Sequence, residues 1–158
     1  FWTMLLNACL KLGTIAGQWR TSNLITLFKG KGSATEPSNY RGIALLCTVF
    51  KVLTRILNHR IMRNIHEALP PEQFGFRPGR GTQDAVDMLL EYVRPRIQRA
   101  KGKAYAAFVD FEKAFDSVDR GYLMNKLREQ FQIQGVTLRL IASILSHHKI
   151  RVYDGLRT

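Results

Sequence analysis

Phe108-Val-Asp-Phe-Glu-Lys-Ala-Phe-Asp-Ser-Val118 is the stretch on which the fold turns. It completes an apolar run, Ala104 to Asp110 (AYAAFVD), whose pattern predicts a short buried strand. A strand ending on Asp110 would hold a carboxylate rigidly and leave it open at the tip, a suitable place for a hard oxygen ligand. Mg²⁺ takes few protein carboxylates and fills its shell with water and substrate phosphate, so one such Asp and a distant partner would suffice. A strand-end Asp equally serves to cap the next turn, and the residues alone leave both uses open. Asp116 lies past a turn and is expected to bond local backbone.

Upstream, Asn39-Tyr-Arg-Gly-Ile-Ala-Leu-Leu46 places Arg41 beside an apolar, strand-like run, after a loop that carries Lys29 and Lys31. Between the two segments, Gln73-Phe-Gly-Phe-Arg-Pro-Gly-Arg-Gly-Thr82 sets Arg77 and Arg80 among Gly75, Gly79, Gly81 and two aromatic rings. Glycine lets backbone approach a phosphate, and Arg pairs with phosphate through two parallel bonds. The rings could pack against a strand or core. A nucleoside-triphosphate P-loop is excluded, because Gly75 is not followed by the required Gly-Lys pair. Taken singly, each loop is also compatible with a surface turn bearing solvated arginines.

The rest of the chain frames these segments. Among 158 residues, 24 Lys and Arg stand against 12 Asp and Glu, a formal net charge of +12. Hydrophobic residues at 46% and charged residues at 23% exclude a disordered or fibrous chain, and the length allows one sizeable core. No apolar run approaches the ~20 residues needed to span a bilayer. The opening FWTMLLNACLKLG lacks a basic n-region and a cleavage site, so secretion is not expected. Cys9 and Cys47, without CxxC spacing, point to buried thiols in a reducing compartment. The chain begins at Phe1 rather than Met and is expected to be an excerpt of something longer.

Charge is uneven. Phe1 to His66 holds nine basic residues and one acid, whereas Asp110, Glu112, Asp116 and Asp119 crowd together downstream. A basic surface opposite a tight acidic cluster suggests a polyanion held near a divalent cation, though a solvated basic protein would share the composition.

Periodicity predicts helices at 2–11, from Val49 to Leu69 ahead of Pro70, from an N-cap at Thr82 onward, and at about 120–131 and 137–147. Strands are expected at Asn23–Lys29, Tyr40–Leu46 and His148–Tyr153. The elements mix without regular βα alternation, which favours an α+β fold. His147 and His148 are expected to serve a helix C-terminus, and Trp2, Trp19, Tyr92 and Tyr122 to be core or rim aromatics.

In this order, Leu27-Phe28-Lys29-Gly30, Asn39 to Leu46, Gln73 to Ala85 and Phe108 to Val118 resemble the reverse transcriptases of non-LTR (LINE-like) retrotransposons. Four ordered blocks over nearly the whole chain make the resemblance specific. Group II intron enzymes share parts of it, but NYR and DFEKAFDSV are nearer to the retrotransposon branch. The resemblance implies an RNA-directed DNA polymerase built as a right hand. About 1–103 would form helical fingers with the template-contact loop, and about 104–158 the start of a palm with a mainly antiparallel sheet.

The resemblance also implies roles. Asp110 matches the first metal-binding, catalytic aspartate, and the main-chain carbonyl of Phe111 would help hold a nucleotide-bound Mg²⁺, one of two ions (or Mn²⁺). Phe115 matches the bulky residue that blocks a ribose 2′-hydroxyl. Arg41, with Lys29 or Lys31, matches the clamp on the incoming deoxynucleoside triphosphate. Gly75, Arg77 and Arg80 lie in the loop associated with the RNA template. A DNA primer completes the implied partners, with no membrane, and the implied location is intracellular, in nucleus or cytoplasm.

The chain also departs from the pattern. Gly42 stands where Pro is usual and Ala44 where Ser is common. The family's second palm block, an aromatic-x-Asp-Asp hairpin, does not occur in the sequence, so these residues alone are not expected to polymerise. A haloacid-dehalogenase phosphatase is disfavoured, because Glu112 stands where a second Asp is needed. The stronger alternative is a non-catalytic nucleic-acid-binding remnant of a degenerate retroelement, against which the intact Arg41, Asp110 and Phe115 count.

Overall fold

A computed structural model describes residues 1–112 and 114–152. Lys113 of the central segment, the Tyr153 end of the last predicted strand, and Asp154 to Thr158 lie outside the described residues. The fold is α+β, with five α-helices and three strands among the described residues. It divides into two compact units. One combines Phe1–Met62 with the chain from Arg120 on; the other runs from Arg63 to Asp119.

The first unit opens with α1 (Trp2–Leu12), which ends where Gly13 turns left-handed at φ 70° and returns its N–H to the Cys9 carbonyl at 2.9 Å. A β-carbon at Gly13 would also stand 3.1 Å from the Val136 carbonyl and from Arg139, so glycine suits both the turn and the close approach. β1 (Thr21–Phe28) and β2 (Tyr40–Leu45) then pair antiparallel, in a register running from Asn23↔Leu45 to Phe28↔Tyr40. Gly42 falls opposite Thr26, and a side chain on it would press to 3.0 Å from Leu24 Cδ1.

After β2 comes α2 (Thr48–Ile65), followed beyond the second unit by α4 (Arg120–Glu129), α5 (Gly135–Leu145) and β3 (Lys149–Val152). β3 pairs with β1 in parallel, from Thr21↔Lys149 to Leu24↔Val152, giving the order β2-β1-β3. The sheet is therefore mixed, its longer pairing the antiparallel one. A parallel neighbour requires a crossover, and the helical chain between β2 and β3 supplies it.

The core belongs to this unit. α2 buries Phe50, Leu53 and Leu57, α5 buries Leu138, Leu140 and Ile141, and Cys9, Ile15, Trp19 and Ile133 complete it. Trp19 and Phe50 meet at 5.9 Å between ring centroids. Cys47, expected to be buried, is exposed, just ahead of α2. The C-terminal carbonyls of α5 are met by cationic or polar side chains. Arg20 donates to the carbonyls of Ser143 (2.8 Å) and Ser146 (2.9 Å), Arg120 to that of Leu145 (2.6 Å), and the His148 ring reaches Ile144. Cations here satisfy orphan acceptors and oppose the negative end of the helix dipole.

The second unit is built around α3 (Thr82–Ile97). Its N-cap is Gly81 rather than Thr82. The Asp84 carboxylate, at the third helical position, accepts the Gly81 N–H at 2.6 Å and so closes the helix start. No side chain among the described residues of this unit is fully buried. Ala104 to Asp110 forms no strand and is not buried: Tyr105 is 90% and Phe108 86% exposed. Alternating residues become a strand only beside a neighbour that completes the hydrogen-bond ladder. Both sides of β1 are taken by β2 and β3, and no described strand pairs with 104–110. Among the described residues, no helix is long and apolar enough to cross a membrane.

Candidate functional site

Lys29, Lys31 and Arg41 come together at one end of the β1–β2 hairpin. Leu27 pairs with Arg41, so Arg41 sits at the mouth of the loop that carries both lysines. The ladder continues one step further, with the Lys29 N–H on the Asn39 carbonyl at 2.8 Å, and the Phe28 and Tyr40 rings close it at 5.4 Å. The loop is held by its own polar groups. Asn39 Nδ2 donates to the Ser33 carbonyl and Tyr40 Oη to the Ala34 carbonyl, each at 2.8 Å.

The two lysines differ. Lys29 Nζ is engaged by the Ser38 carbonyl at 2.7 Å, whereas Lys31 is exposed and makes no hydrogen bond among the described residues. No carboxylate among the described residues pairs with Lys31 or Arg41. Two unneutralised cations at a hairpin mouth form a site suited to a phosphate-rich anion.

The remaining sequence-predicted residues lie in the second unit. In the Gln73–Thr82 loop, Arg77 turns inward. Its guanidinium donates to the carbonyls of Pro70 (3.0 Å) and His66 (3.2 Å), and its Nε is buried without a partner. Arg77 thereby braces the turn that follows α2, where Ala68 and Leu69 N–H groups close on the Ile65 carbonyl. That bracing accompanies the end of the helix at Ile65, short of the Leu69 that periodicity predicted. Arg80 instead lies 5.5 Å over the Phe74 ring. Gly75 offers its carbonyl to Gln73 Nε2 at 3.0 Å. Beside it Phe76 adopts a left-handed φ of 59° and projects an exposed ring.

That ring meets Phe115 edge-on, with centroids 6.1 Å apart. The contact joins the glycine-arginine loop to the Asp110–Phe115 segment, a pairing the sequence did not disclose. Its only sequence signal was the presence of aromatic residues in both motifs. Phe115 is 82% exposed, so most of its surface remains open to a ligand. Asp110 and Phe111 are exposed on an irregular stretch. Among the described residues, no three His, Cys, Asp or Glu side chains converge as a metal site. One carboxylate and a main-chain carbonyl do not make a two-ion site, so the donor set here does not fit two Mg²⁺ by itself.

The loop and α3 also enclose an open cavity of about 640 Å³, lined by Phe74, Arg80, Asp84, Asp87, Glu91 and Arg94 among others. Asp84 is committed to the Gly81 cap, and Asp87 accepts from Gln83 Nε2 at 2.9 Å.

A cationic hairpin mouth, a glycine-arginine loop and an Asp-bearing segment follow one another in this order along the chain. Residues 29–157 match the family described as reverse transcriptase (RNA-dependent DNA polymerase). The chain belongs to that family, in its non-LTR retrotransposon branch. It is 34% identical over 130 residues to a 115 kDa protein of the type-1 retrotransposable element R1DM of Drosophila melanogaster, covering 79% of this chain and 12% of the relative. It is 28% identical over 138 residues to the RNA-directed DNA polymerase from the mobile element jockey of the same fly, covering 85% and 15%. The jockey enzyme of Drosophila funebris matches at 27% over 158 residues, 98% of this chain and 17% of the relative. The chain thus spans less than a fifth of each of these relatives.

Proposed function

We propose that this chain is the part of an RNA-directed DNA polymerase that grips the incoming deoxynucleoside triphosphate and supplies the first catalytic carboxylate. The observation that carries the proposal is the pair of unneutralised cations, Lys31 and Arg41, at one hairpin mouth in a chain of this family. Lys31 rather than Lys29 is the lysine of the clamp, because Lys29 Nζ is already engaged by Ser38. Asp110 contributes one ligand toward Mg²⁺ or Mn²⁺, with the Phe111 carbonyl beside it. Divalent ions would supply charge neutralisation at the phosphates. What these residues do is bind and orient: phosphoryl transfer needs in-line positioning and a cationic environment more than covalent help. Phe115 excludes a 2′-hydroxyl by volume, so its role needs no hydrogen bond. Arg80 is the residue of the loop placed to meet an RNA template, while Arg77 holds the loop. The setting is intracellular, with an RNA template and a DNA primer.

Primer extension on an RNA template tests this. In the intact protein, Asp110→Asn is expected to abolish deoxynucleotide incorporation, and Arg41→Ala to raise KM for the triphosphate more than it lowers kcat. The isolated 158 residues are expected to be inactive. Normal incorporation by the Asp110→Asn protein would remove Asp110 from the catalytic role.

A further inference from the structure

Phe76 is the only non-glycine residue of the Gln73–Thr82 loop with a left-handed backbone, at φ 59°. A bulky residue is strained there, because its β-carbon crowds the following carbonyl oxygen. The conformation is nevertheless held from both sides. Gln73 Nε2 fixes the Gly75 carbonyl before it, and the Arg77 guanidinium fixes the residue after it on the carbonyls of Pro70 and His66. The strain brings no burial, since the Phe76 ring is 89% exposed. What it sets is a direction: the ring projects onto Phe115, with an angle of 80° between the two planes. Phe115 needs such a neighbour. It sits in a turn closed by the Ser117 hydroxyl on the Ala114 carbonyl at 3.1 Å, and no helix or strand holds it. Among the described residues, Phe76 is the only ring that Phe115 meets. Exclusion by volume works only while the excluding ring stays in place, and a phenylalanine free to change rotamer leaves the space it is meant to fill.

We infer that Phe76 is a positioning residue for Phe115, so that selectivity for deoxynucleoside over ribonucleoside triphosphates depends on the ring pair and not on Phe115 alone. The inference rests on the role proposed above for Phe115. It gives Phe76 no contact with the nucleotide: Phe76 acts by limiting the rotamers open to the Phe115 ring, through the edge-to-face attraction and through the space it occupies. It also accounts for a strained, exposed aromatic residue in a loop whose glycines and arginines would serve a polyanion without it.

The test is single-nucleotide primer extension by the intact protein on an RNA template. The readout is the ratio of kcat/KM for a deoxynucleoside triphosphate to that for the matching ribonucleoside triphosphate. Phe115→Ala should lower this ratio and sets its full range. Phe76→Ala should lower it by about 2- to 10-fold, the factor to which an aromatic pair of ordinary strength corresponds. The fall should come from a rise in the ribonucleotide kcat/KM. Phe76→Gly removes the ring and accepts the left-handed φ without strain, so it should give the same fall, while Phe76→Tyr should keep the wild-type ratio. Added to Phe115→Ala, Phe76→Ala should change nothing more, because a positioning residue has no effect once the ring it places is gone. Equal losses with both nucleotides at an unchanged ratio would make Phe76 merely structural and overturn the inference. So would a further fall in the double variant, which would put Phe76 on the nucleotide or the template itself. A wild-type ratio in the Phe115→Ala protein would remove the role of Phe115 and the inference with it. A lowered ratio for Phe115→Ala beside wild-type ratios for Phe76→Ala and Phe76→Gly would remove the inference alone.

Discussion

Arg20 and Arg77 both turn their guanidinium groups onto backbone carbonyls at helix ends, and neither role is visible in the sequence. Arg20 stands beside Trp19 in a short turn, far in sequence from Ser143 and Ser146, which it bonds through four contacts of 2.8 to 3.4 Å. Hydrogen bonds involving a charged group contribute about 1.5–3 kcal/mol each at most, and these share one partly buried donor group. Arg20→Ala is therefore expected to lower the stability of this chain by about 2 kcal/mol in urea denaturation, with Lys at the same position recovering little because its ammonium lacks the fork. A loss below about 0.5 kcal/mol would mean that water replaces the guanidinium without penalty. At the candidate site, residue types were legible and their engagements were not. The sequence offered Lys29 and Lys31 as equals, and only the fold shows the first tied to Ser38. It likewise offered Arg77 and Arg80 as a pair, and the fold turns one onto carbonyls and the other onto a ring. Such distinctions depend on carbonyls that a folded turn brings near, which no local pattern encodes.

At the scale of elements, helices were read more faithfully than strands. α2 announces itself because its apolar residues recur at three and four, and the same residues, Phe50, Leu53 and Leu57, form its buried side. Leu53 is fully buried, so Leu53→Ala should destabilise the chain by about 3 kcal/mol, the transfer cost of the lost atoms plus that of the cavity left behind. Thermal unfolding measures this, and an unchanged midpoint would show that α2 does not anchor the core. The hairpin was legible for a similar reason, with apolar runs either side of a Gly- and Ser-rich loop. Ala104–Asp110 has an equally good local pattern and forms no strand, because a strand is a property of pairs. The parallel pairing of β3 with β1 escaped sequence reading for the same reason. Nothing within Lys149–Val152 records which neighbour it will find.

At the scale of the whole molecule, burial is concentrated in one unit while most of the predicted site residues lie in the other. Every apolar side chain buried among the described residues belongs to the unit of the sheet and α1, α2, α4 and α5. Backbone without a ladder and without buried neighbours opens at little cost, and such segments are cut first by proteases. Trypsin should first cleave this chain after Arg99, Lys101 or Lys103, all exposed, with β1 and α2 surviving as part of a resistant core. Mass spectrometry of the earliest fragments decides it; a first cut inside α2 would contradict the burial pattern.

The discontinuity of the first unit has a further consequence, for evolution rather than for chemistry. Its core closes only when the chain beyond Arg120 returns to the chain before Met62, so the stretch between behaves as one large loop hung from two fixed points. Closing such a loop becomes costlier only logarithmically, about 0.6 kcal/mol for each doubling of its length. Insertions and deletions between Arg63 and Asp119 therefore burden the core very little. The segment that bears Asp110 and the glycine-arginine loop can be lengthened, trimmed or re-specified by descent while the scaffold that carries the cationic hairpin stays the same.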